Sequence, residues 1–267
     1  MMKIATFNVN SIRSRIDLIA TWLDEKNAVD ILCMQELKCE AQQFPKERFE
    51  KLGYEHIAIN GQKRYNGVAI CSKVAFKDIK TTFDDDLLDS QKRLVQVIVG
   101  DLVILNVYAP HGDTDEHSEK HQFKMDFYDA LHRYIKSLQQ AYQKIVLVGD
   151  LNVALEEIDV YDPELFKGKV GFLATEKEKL KILLQDGLLD CYRQKYPDSR
   201  AFTWWDYRTA GIWRDEGMRI DYILATETVV KSCKEIKVDL WTRRRRSPTP
   251  SDHAPLVGML DIICDVL

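Results

Sequence analysis

The stretch Lys144-Ile145-Val146-Leu147-Val148-Gly149-Asp150-Leu151-Asn152 is an apolar run that ends directly in an acid and an amide. Five other short strings combine acids, amides or histidine with apolar residues in a similar way: Phe7-Asn8-Val9-Asn10, Gln35-Glu36, Asn106-Val107-Tyr108, Arg219-Ile220-Asp221-Tyr222 and Ser251-Asp252-His253-Ala254-Pro255. One such string is weak evidence for anything. Six of them in one chain predict a polar site that is built at the ends of several strands.

These residue types fit the hydrolysis of a phosphodiester at neutral pH. That reaction needs a divalent metal to offset phosphoryl charge, an activated water and a stabilised leaving group. Mg²⁺ prefers hard oxygen ligands and keeps much of its water, so one or two carboxylates suffice. Glu36, after the apolar run at 29–34, is well placed as a ligand at a sheet edge, although a helix-capping acid would look the same.

Asp150 and Asn152 are two residues apart, and on an extended segment this spacing puts both side chains on one side. Facing the same way, the two groups could bind and orient an attacking water. The structural alternative is an Asx turn that follows a strand.

Asp221 interrupts an apolar segment, so its carboxylate needs a buried partner. His253 is the natural candidate, because a carboxylate on one imidazole nitrogen fixes the tautomer and orientation of the other. The general base stays open: a histidine titrates near pH 7, whereas a carboxylate is a weak base unless its pKa is raised. We favour Asp150 as the base and a protonated His253 as an electrostatic clamp on the phosphate.

The bulk composition is that of a globular protein with a substantial core: 267 residues, of which 45% are hydrophobic and 30% charged. No apolar run is long enough to span a bilayer and residues 1–7 spell no export signal, so we expect a cytoplasmic protein without membrane contact. The net charge of −4 argues against coating nucleic acid by charge alone. The basic run Arg243-Arg244-Arg245-Arg246 is either a solvated loop or a phosphate contact.

The cysteines form no CxxC pair, which leaves zinc-ribbon and thioredoxin-type sites without support. They are six in number: Cys33, Cys39, Cys71, Cys191, Cys233 and Cys264. We assign none of them a function, and interpret Cys33 and Cys71 as small buried hydrophobes.

Runs rich in Val and Ile predict strands at residues 3–7, 29–34, 56–60, 67–71, 94–99, 102–107, 144–148, 219–224 and 256–262. Apolar periodicity predicts helices that begin near Ile12 and Phe123, and Thr175-x-x-Glu178 spells a capping box ahead of a third. The close pair at 94–107 predicts a hairpin, so the sheets should be mixed. No linker or repeat divides the chain, and we expect one domain, 1–267, with helices outside two facing sheets.

In this order, the six strings resemble the exonuclease III / AP endonuclease family. The resemblance extends from Lys3 to about Leu260, with shorter matches at residues 67–69 and 202–208. It implies an α/β fold, specifically a four-layered α/β sandwich of the DNase I-like type with two mixed β-sheets flanked by helices. It also implies Mg²⁺-dependent cleavage of double-stranded DNA on the 5′ side of abasic sites, with Mn²⁺ able to substitute. Action on blocked 3′ ends as 3′-phosphodiesterase, 3′-phosphatase and 3′→5′ exonuclease, by a monomer, is expected as well.

Carried over by position, the resemblance divides the polar residues into two groups. The metal group consists of Glu36 as principal ligand, with Asn10 and Asp252 nearby and Asn8 in support. The catalytic group consists of Asp150 to activate the water, Asn152 to position it and the phosphate, and His253, oriented by Asp221, to donate to the scissile phosphate. Tyr108 would either contact the phosphate or help to stabilise charge on the leaving side.

The same phosphodiesterase core serves several substrates, so the segment before Asp221 has to discriminate between them. An abasic deoxyribose is small and apolar on one face, and a pocket of Trp204, Met218 and Ile220 could hold it and exclude a normal nucleotide. Arg208 is expected to contact DNA, whereas Trp205 is interpreted as core packing.

Three residues depart from the family's pattern. His111 stands near the phosphates where Asn or Gln is usual, Met218 replaces a Trp or Leu, and Ala174 replaces a common Pro. They bear on the balance of activities rather than on the chemistry.

Two alternative functions remain at this stage. One is a related phosphodiesterase that acts on RNA or a phospholipid headgroup. The other is a catalytically silent DNA-binding module, which is disfavoured because binding alone does not require the intact catalytic set.

Overall fold

A computed structural model of the chain describes residues 1–25 and 28–262. The strands are β1 (Met2–Asn8), β2 (Ile31–Gln35), β3 (His56–Asn60), β4 (Val68–Ser72), β5 (Lys77–Lys80), β6 (Leu94–Val99), β7 (Leu102–Tyr108), β8 (Lys144–Asp150), β9 (Leu188–Asp190), β10 (Trp204–Trp205), β11 (Gly217–Met218), β12 (Asp221–Thr226), β13 (Cys233–Val238) and β14 (Leu256–Leu260). The α-helices are α1 (Ile12–Glu25), α2 (Lys46–Glu50), α3 (Asp86–Asp89), α4 (Glu119–Gln139), α5 (Pro163–Phe166), α6 (Ala174–Gln185), α7 (Cys191–Lys195) and α8 (Glu227–Ser232).

Two six-stranded sheets form the centre of the fold. The first has the order β13-β14-β1-β2-β4-β3 and the second the order β5-β6-β7-β8-β12-β9. Each is mixed, because β1 runs parallel to β2 and β7 parallel to β8, while their other neighbours are antiparallel. The predicted hairpin is present, with Val99 opposite Leu102.

The three largest hydrophobic clusters lie between the two sheets and on their outer faces, which makes the fold a four-layered sandwich as predicted. Residues of both sheets, such as Ile4 and Ile104, share the central cluster. The outer face of the first sheet packs against α1 through Trp22, and the outer face of the second packs against α4 through Phe127. Helices therefore cover the outer faces of both sheets but not the ends of the strands.

Buried polar side chains also join the two sheets. The Asn106 amide of β7 donates to the backbone carbonyls of Met34 and Ala69 in the first sheet, each at 2.9 Å. Its carbonyl oxygen accepts from Gln35 Nε2 at 2.6 Å. Because buried polar groups are costly when unpaired, these bonds favour one relative placement of the sheets.

The predicted capping box of α6 was wrong by two residues. The helix begins at Ala174, and the carboxylate that satisfies its first turn is Glu176, whose Oε2 accepts from Leu173 N at 3.0 Å. Glu176 is fully buried. Glu176 also forms a buried ion pair with Lys124 of α4 at 2.6 Å, a long-range contact that the local Thr175-x-x-Glu178 spelling does not reveal.

No helix in the described part of the chain is long and apolar enough to cross a membrane. Cys33 and Cys71 are fully buried, as predicted, and burial raises the pKa of both thiols. Cys264 lies outside the described residues.

A buried arginine locks the loop after β8 against β12. The Arg219 guanidinium is 1% exposed; its Nε lies 2.7 Å from Asp159 Oδ1 and its Nη1 lies 2.6 Å from Asp190 Oδ2. Asp190 also caps α7 by accepting from Tyr192 N. One cation thus connects β9, α7 and the loop that contains residues 156–161.

We expect Arg219→Met to lower the free energy of unfolding by about 3–5 kcal/mol, because it leaves buried carboxylates undercompensated. Chemical denaturation measures the change. The control is Arg48→Met, which removes the exposed ion pair to Asp17 and should leave stability nearly unchanged. Equal small effects of both substitutions would contradict the role given to Arg219.

Candidate active site

Strand ends from both sheets meet at one edge of the sandwich. In the second sheet Tyr108, Asp150 and Asp221 are direct neighbours on β7, β8 and β12. Gly149 permits this approach: it has φ 145°, and a Cβ there would lie 1.9 Å from Val107 O. In the first sheet Asn8 ends β1 beside Gln35 of β2, so Glu36 emerges at the same edge.

His253 bridges the two sheets at this edge. Its Nδ1 lies 2.8 Å from Asp221 Oδ2, and its Nε2 lies 3.7 Å from Asp150 Oδ2. All three side chains are at least 95% buried. The predicted pairing of Asp221 with His253 is therefore present.

Burial and neighbouring charges shift the pKa values of His253 and Asp150. Burial alone would lower the pKa of His253, but the carboxylates of Asp221 and Asp150 outweigh it and raise that pKa to about 10. Burial raises the pKa of Asp150 to about 7, opposed by the nearby His253 and reinforced by Asp221. At neutral pH the imidazole is a cation, while Asp150, with a pKa of about 7, is only partly ionised and accepts protons more readily than an exposed aspartate.

Asn8 and Asn10 link this cluster to Asp252. Asn8 Nδ2 donates to Asp150 Oδ2 at 2.9 Å, and Asn8 Oδ1 accepts from Asn10 N at 3.0 Å. Asn10 Nδ2 in turn donates to Asp252 Oδ1 at 2.9 Å. The structure thus places Asn8 between the catalytic and metal groups, against Asp150.

Glu36 and Asn10 direct their oxygens at one cation. Lys38 Nζ lies 2.8 Å from Glu36 Oε1 and 2.6 Å from Asn10 Oδ1. Asn10, Glu36 and Lys38 all have φ between 44° and 58°, a strained region for residues other than glycine. Hard oxygen ligands that converge on a positive charge fit a divalent metal, so this donor set suits Mg²⁺.

A second group of ligand atoms is formed by Asp150, Asp221 and His253, which lie within 4.8 Å of one another. We regard it as the weaker metal site. A protonated imidazole cannot be a ligand, and in this cluster it already supplies the positive charge. The ligand atoms around Glu36, by contrast, are all oxygens.

Two charged residues that the sequence analysis did not identify, Lys124 and Glu176, support the backbone of Asn152. Lys124 Nζ donates to Asn152 O at 2.8 Å, to His111 O at 3.0 Å and to Glu176 Oε1 at 2.6 Å. Both charged side chains are fully buried. A signal existed: Lys124 stands three residues before Phe127 on the apolar face of α4, where a lysine is out of place.

The segment from Asp150 to Asn152 is a turn rather than an extended strand. Asn152 has φ 53°, and its N–H donates to Asp150 Oδ1 at 2.9 Å, which is the Asx turn of the alternative interpretation. The premise that an extended spacing aligns the two side chains was wrong. Asn152 Oδ1 instead faces His111 Nδ1 at 3.4 Å.

His111 is neutral at pH 7, since burial and the Lys124 ammonium lower its pKa below 6.5. Ala174, the third departure from the family's pattern, begins α6 in place of a Pro.

Tyr108 stacks on a buried guanidinium. Arg93 lies 4.8 Å from the Tyr108 ring centroid, and its Nη1 donates to Tyr108 O at 2.9 Å. Burial, followed by the carboxylates of Glu36 and Asp150, keeps the pKa of Tyr108 well above its usual value. Tyr108 therefore remains a hydrogen-bond donor, and Arg93 adds a cation that sequence reasoning also missed.

The three residues predicted to hold the abasic sugar lie together in the structure. Trp204, Met218 and Ile220 share one apolar cluster, and Trp204 Nε1 donates to Asp252 Oδ2 at 3.0 Å. Trp205 is 1% exposed and belongs to the core, as expected. Arg208 is not brought to the cluster: its side chain is 89% exposed and pairs with Asp206.

The comparisons with known proteins agree with this geometry. Residues 5–253 match the Endonuclease/Exonuclease/phosphatase family. The chain belongs to this family. Its enzymes depend on metal ions. Exodeoxyribonuclease III of Haemophilus influenzae is 33% identical over 266 residues, which cover 96% of this chain and 98% of that protein.

Solved structures of family members share the whole fold. A 3′ phosphatase, NExo, from Neisseria, bound to a product DNA hairpin, has 35% identity and a TM-score of 0.93 over 98% of this chain and 100% of its own. An AP endonuclease from Archaeoglobus fulgidus has 39% identity and a TM-score of 0.91 with the same coverage. The predicted exonuclease III / AP endonuclease resemblance is confirmed.

We expect Lys124→Met to lower the free energy of unfolding by about 3–5 kcal/mol, because Glu176 is left as an unpaired buried charge. The double variant Lys124→Met/Glu176→Leu should recover most of this loss. Denaturant titration of the single and double variants gives the coupling.

Lys179→Met is the matched control, because Lys179 pairs with Asp129 across the same two helices in a partly exposed position. If the double variant were no more stable than Lys124→Met, the stabilising role of Lys124 would not lie in its ion pair with Glu176.

Proposed function

We propose that the chain is a Mg²⁺-dependent DNA-repair phosphodiesterase that cleaves double-stranded DNA on the 5′ side of abasic sites. The observation that carries the proposal is the buried Asp221–His253–Asp150 cluster beside the Glu36 and Asp252 carboxylates. Binding alone does not require such a cluster, because burying this much charge is costly. The silent DNA-binding module is therefore set aside.

The metal is assigned to Glu36 as principal ligand, with Asn10 and Asp252 nearby. When bound, it would polarise the phosphoryl oxygens and offset their charge. Mn²⁺, which takes similar oxygen ligands, is expected to substitute. Lys38 would leave its present contacts with Glu36 and Asn10 to make room.

The catalytic residues act on the water and on the phosphate. Asp150 accepts the proton of the attacking water, helped by its raised pKa, and Asn152 orients that water. Asp221 holds His253 so that the imidazolium Nε2–H points away from Asp221 and donates to a phosphoryl oxygen. Tyr108 donates from its phenol on the leaving side.

The abasic sugar is assigned to the apolar cluster of Trp204, Met218 and Ile220. It lies next to Asp252, so a flipped-out sugar held there would bring its 5′ phosphate to the assigned metal ligands. His111, neutral at pH 7, and Arg208, exposed on the neighbouring loop, are assigned to DNA contacts. No observation favours RNA or a phospholipid headgroup as substrate.

Activity on 3′ ends is proposed as a second use of the same site. It is supported by relatives named 3′ phosphatase and exodeoxyribonuclease III, which match this chain over nearly its full length. We also propose that residues 1–267 form one domain that works as a monomer inside the cell.

The test uses a labelled duplex that carries one internal abasic-site analogue, beside an undamaged duplex with a recessed 3′ end. We expect cutting on the 5′ side of the lesion with Mg²⁺ and none with EDTA. Degradation of the undamaged duplex measures the exonuclease component. No cutting of either DNA by well-folded protein would contradict the proposed function.

In the same assay Asp150→Asn and His253→Ala should each lower turnover by at least ~10²-fold, through lost proton transfer or charge stabilisation. Asp101→Asn is the control, because this exposed carboxylate pairs with Lys144 at the opposite end of the second sheet. A near-wild-type rate in either catalytic variant would overturn the role of that residue.

A further inference from the structure

A groove lies directly behind the strand that carries Trp204. Neighbouring side chains of a strand point to opposite faces, and on β10 Trp204 bonds Asp252 while Trp205 lines the groove. The groove measures about 700 Å³ and lies between residues 192–205, the loop at 212–215, and residues 236–244, which comprise the end of β13 and the segment after it. It is thus separated from a proposed metal ligand by the thickness of one strand.

Exposed aromatic rings and cations line this groove, which we call the outer groove. Trp213 is 58% exposed and Tyr196 is 36% exposed. Four cations line the same space, Arg200, Arg214, Lys237 and Arg244, against one acid, Asp215. Arg214 is paired with Glu216, Lys237 lies 3.8 Å from Glu235, and Arg200 is bound to backbone carbonyls, so Arg244 is the cation most available to a ligand.

The four arginines of the basic run at 243–246 have two kinds of surroundings. Arg243 is 5% exposed and donates to the carbonyls of Asp252 and Trp205, so it supports the loop instead of contacting a ligand. Arg245 lies 3.9 Å from the Trp241 ring centroid and Arg246 lies 5.8 Å from that of Trp213. Residues 244–246 form no ion pair with a carboxylate of residues 1–25 or 28–262.

Guanidinium groups stacked on rings keep their N–H edges free for phosphate oxygens. Backbone contacts to a duplex need only such cations. An exposed Trp in a recess has a different use, because base stacking on aromatic rings beside a positive groove is how proteins hold unpaired strands. The outer groove presents Trp213 and Arg244, and Arg245 and Arg246 follow Arg244 in the same run, beside Trp241 and Trp213.

We propose that the outer groove binds an unpaired DNA strand through phosphate contacts to residues 244–246 and base stacking on Trp213. The inference rests on the proposed function, since 3′→5′ degradation leaves the complementary strand unpaired next to the catalytic centre. Held there, that strand would keep the enzyme on a recessed 3′ end between turnovers.

The experiment measures binding in EDTA, where the proposed nuclease does not turn over. One DNA is a blunt duplex, and the other has the same paired length plus an unpaired complement of about 12 nucleotides facing a recessed 3′ end. We expect the wild type to bind the second about tenfold more tightly, with a log–log salt slope steeper by about 2, for three phosphates at about 0.7 each.

The variants Arg244→Gln/Arg245→Gln/Arg246→Gln and Trp213→Ala should lose most of this gain while binding the blunt duplex within about twofold of wild type. The matched control is Lys77→Gln/Lys231→Gln/Lys234→Gln, which removes three cations at the opposite end of the sheets and should keep the gain. Wild-type incision of an abasic site in blunt duplex would show that each variant is folded.

Absence of any gain in the wild type would overturn the proposal. Equal weakening of both DNAs by the triple arginine variant would overturn it too, since the run would then be a general duplex contact. Neither result depends on whether abasic DNA is cut with Mg²⁺, so failure of the proposed function is distinguished from failure of this inference.

Discussion

The hydrogen bond between Asp221 and His253 joins the two sheets where all the proposed catalytic groups meet. Asp221 begins β12 in one sheet, and His253 precedes β14 in the other. A second bond, from Asn8 to Asp150, crosses between the sheets beside it. Because both pairs are buried, a shift of one sheet would leave charged groups unpaired at a cost of several kcal/mol. The chemistry and the relative placement of the sheets therefore depend on the same contacts.

In this buried cluster the pKa values of both His253 and Asp150 are raised. A buried cation between two carboxylates holds its proton, while burial makes Asp150 a stronger base than an exposed aspartate. Around the cluster, Lys124 and Glu176 form a second buried pair that anchors Asn152, and backbone strain gathers at Asn10, Glu36 and Asn152. Buried charges and strained backbone at this edge of the sandwich lower the stability of the fold, and the large apolar core elsewhere offsets that cost.

Most of the fold could be predicted from sequence because nine of its strands are apolar runs with clear ends. The missed strands are short, as β10 and β11 are, or polar edge strands such as β5 and β13, whose alternation is masked by charged residues. The six strings located the candidate site, since a polar residue at the end of an apolar strand is informative. The position of Lys124 on the apolar face of α4 was a signal that it is buried, but its partner Glu176, like the Tyr108 partner of Arg93, is distant in sequence and only the fold brings the pairs together.

The charge state of His253 tests the central claim most directly, and ¹⁵N NMR of the imidazole in the metal-free protein measures it. We expect an imidazolium throughout the neutral range, with a pKa well above 6.5, and a lower value in Asp221→Asn, which removes the adjoining charge. A neutral imidazole at pH 7 in the wild type would contradict the electrostatic clamp and leave His253 as the better candidate for the general base.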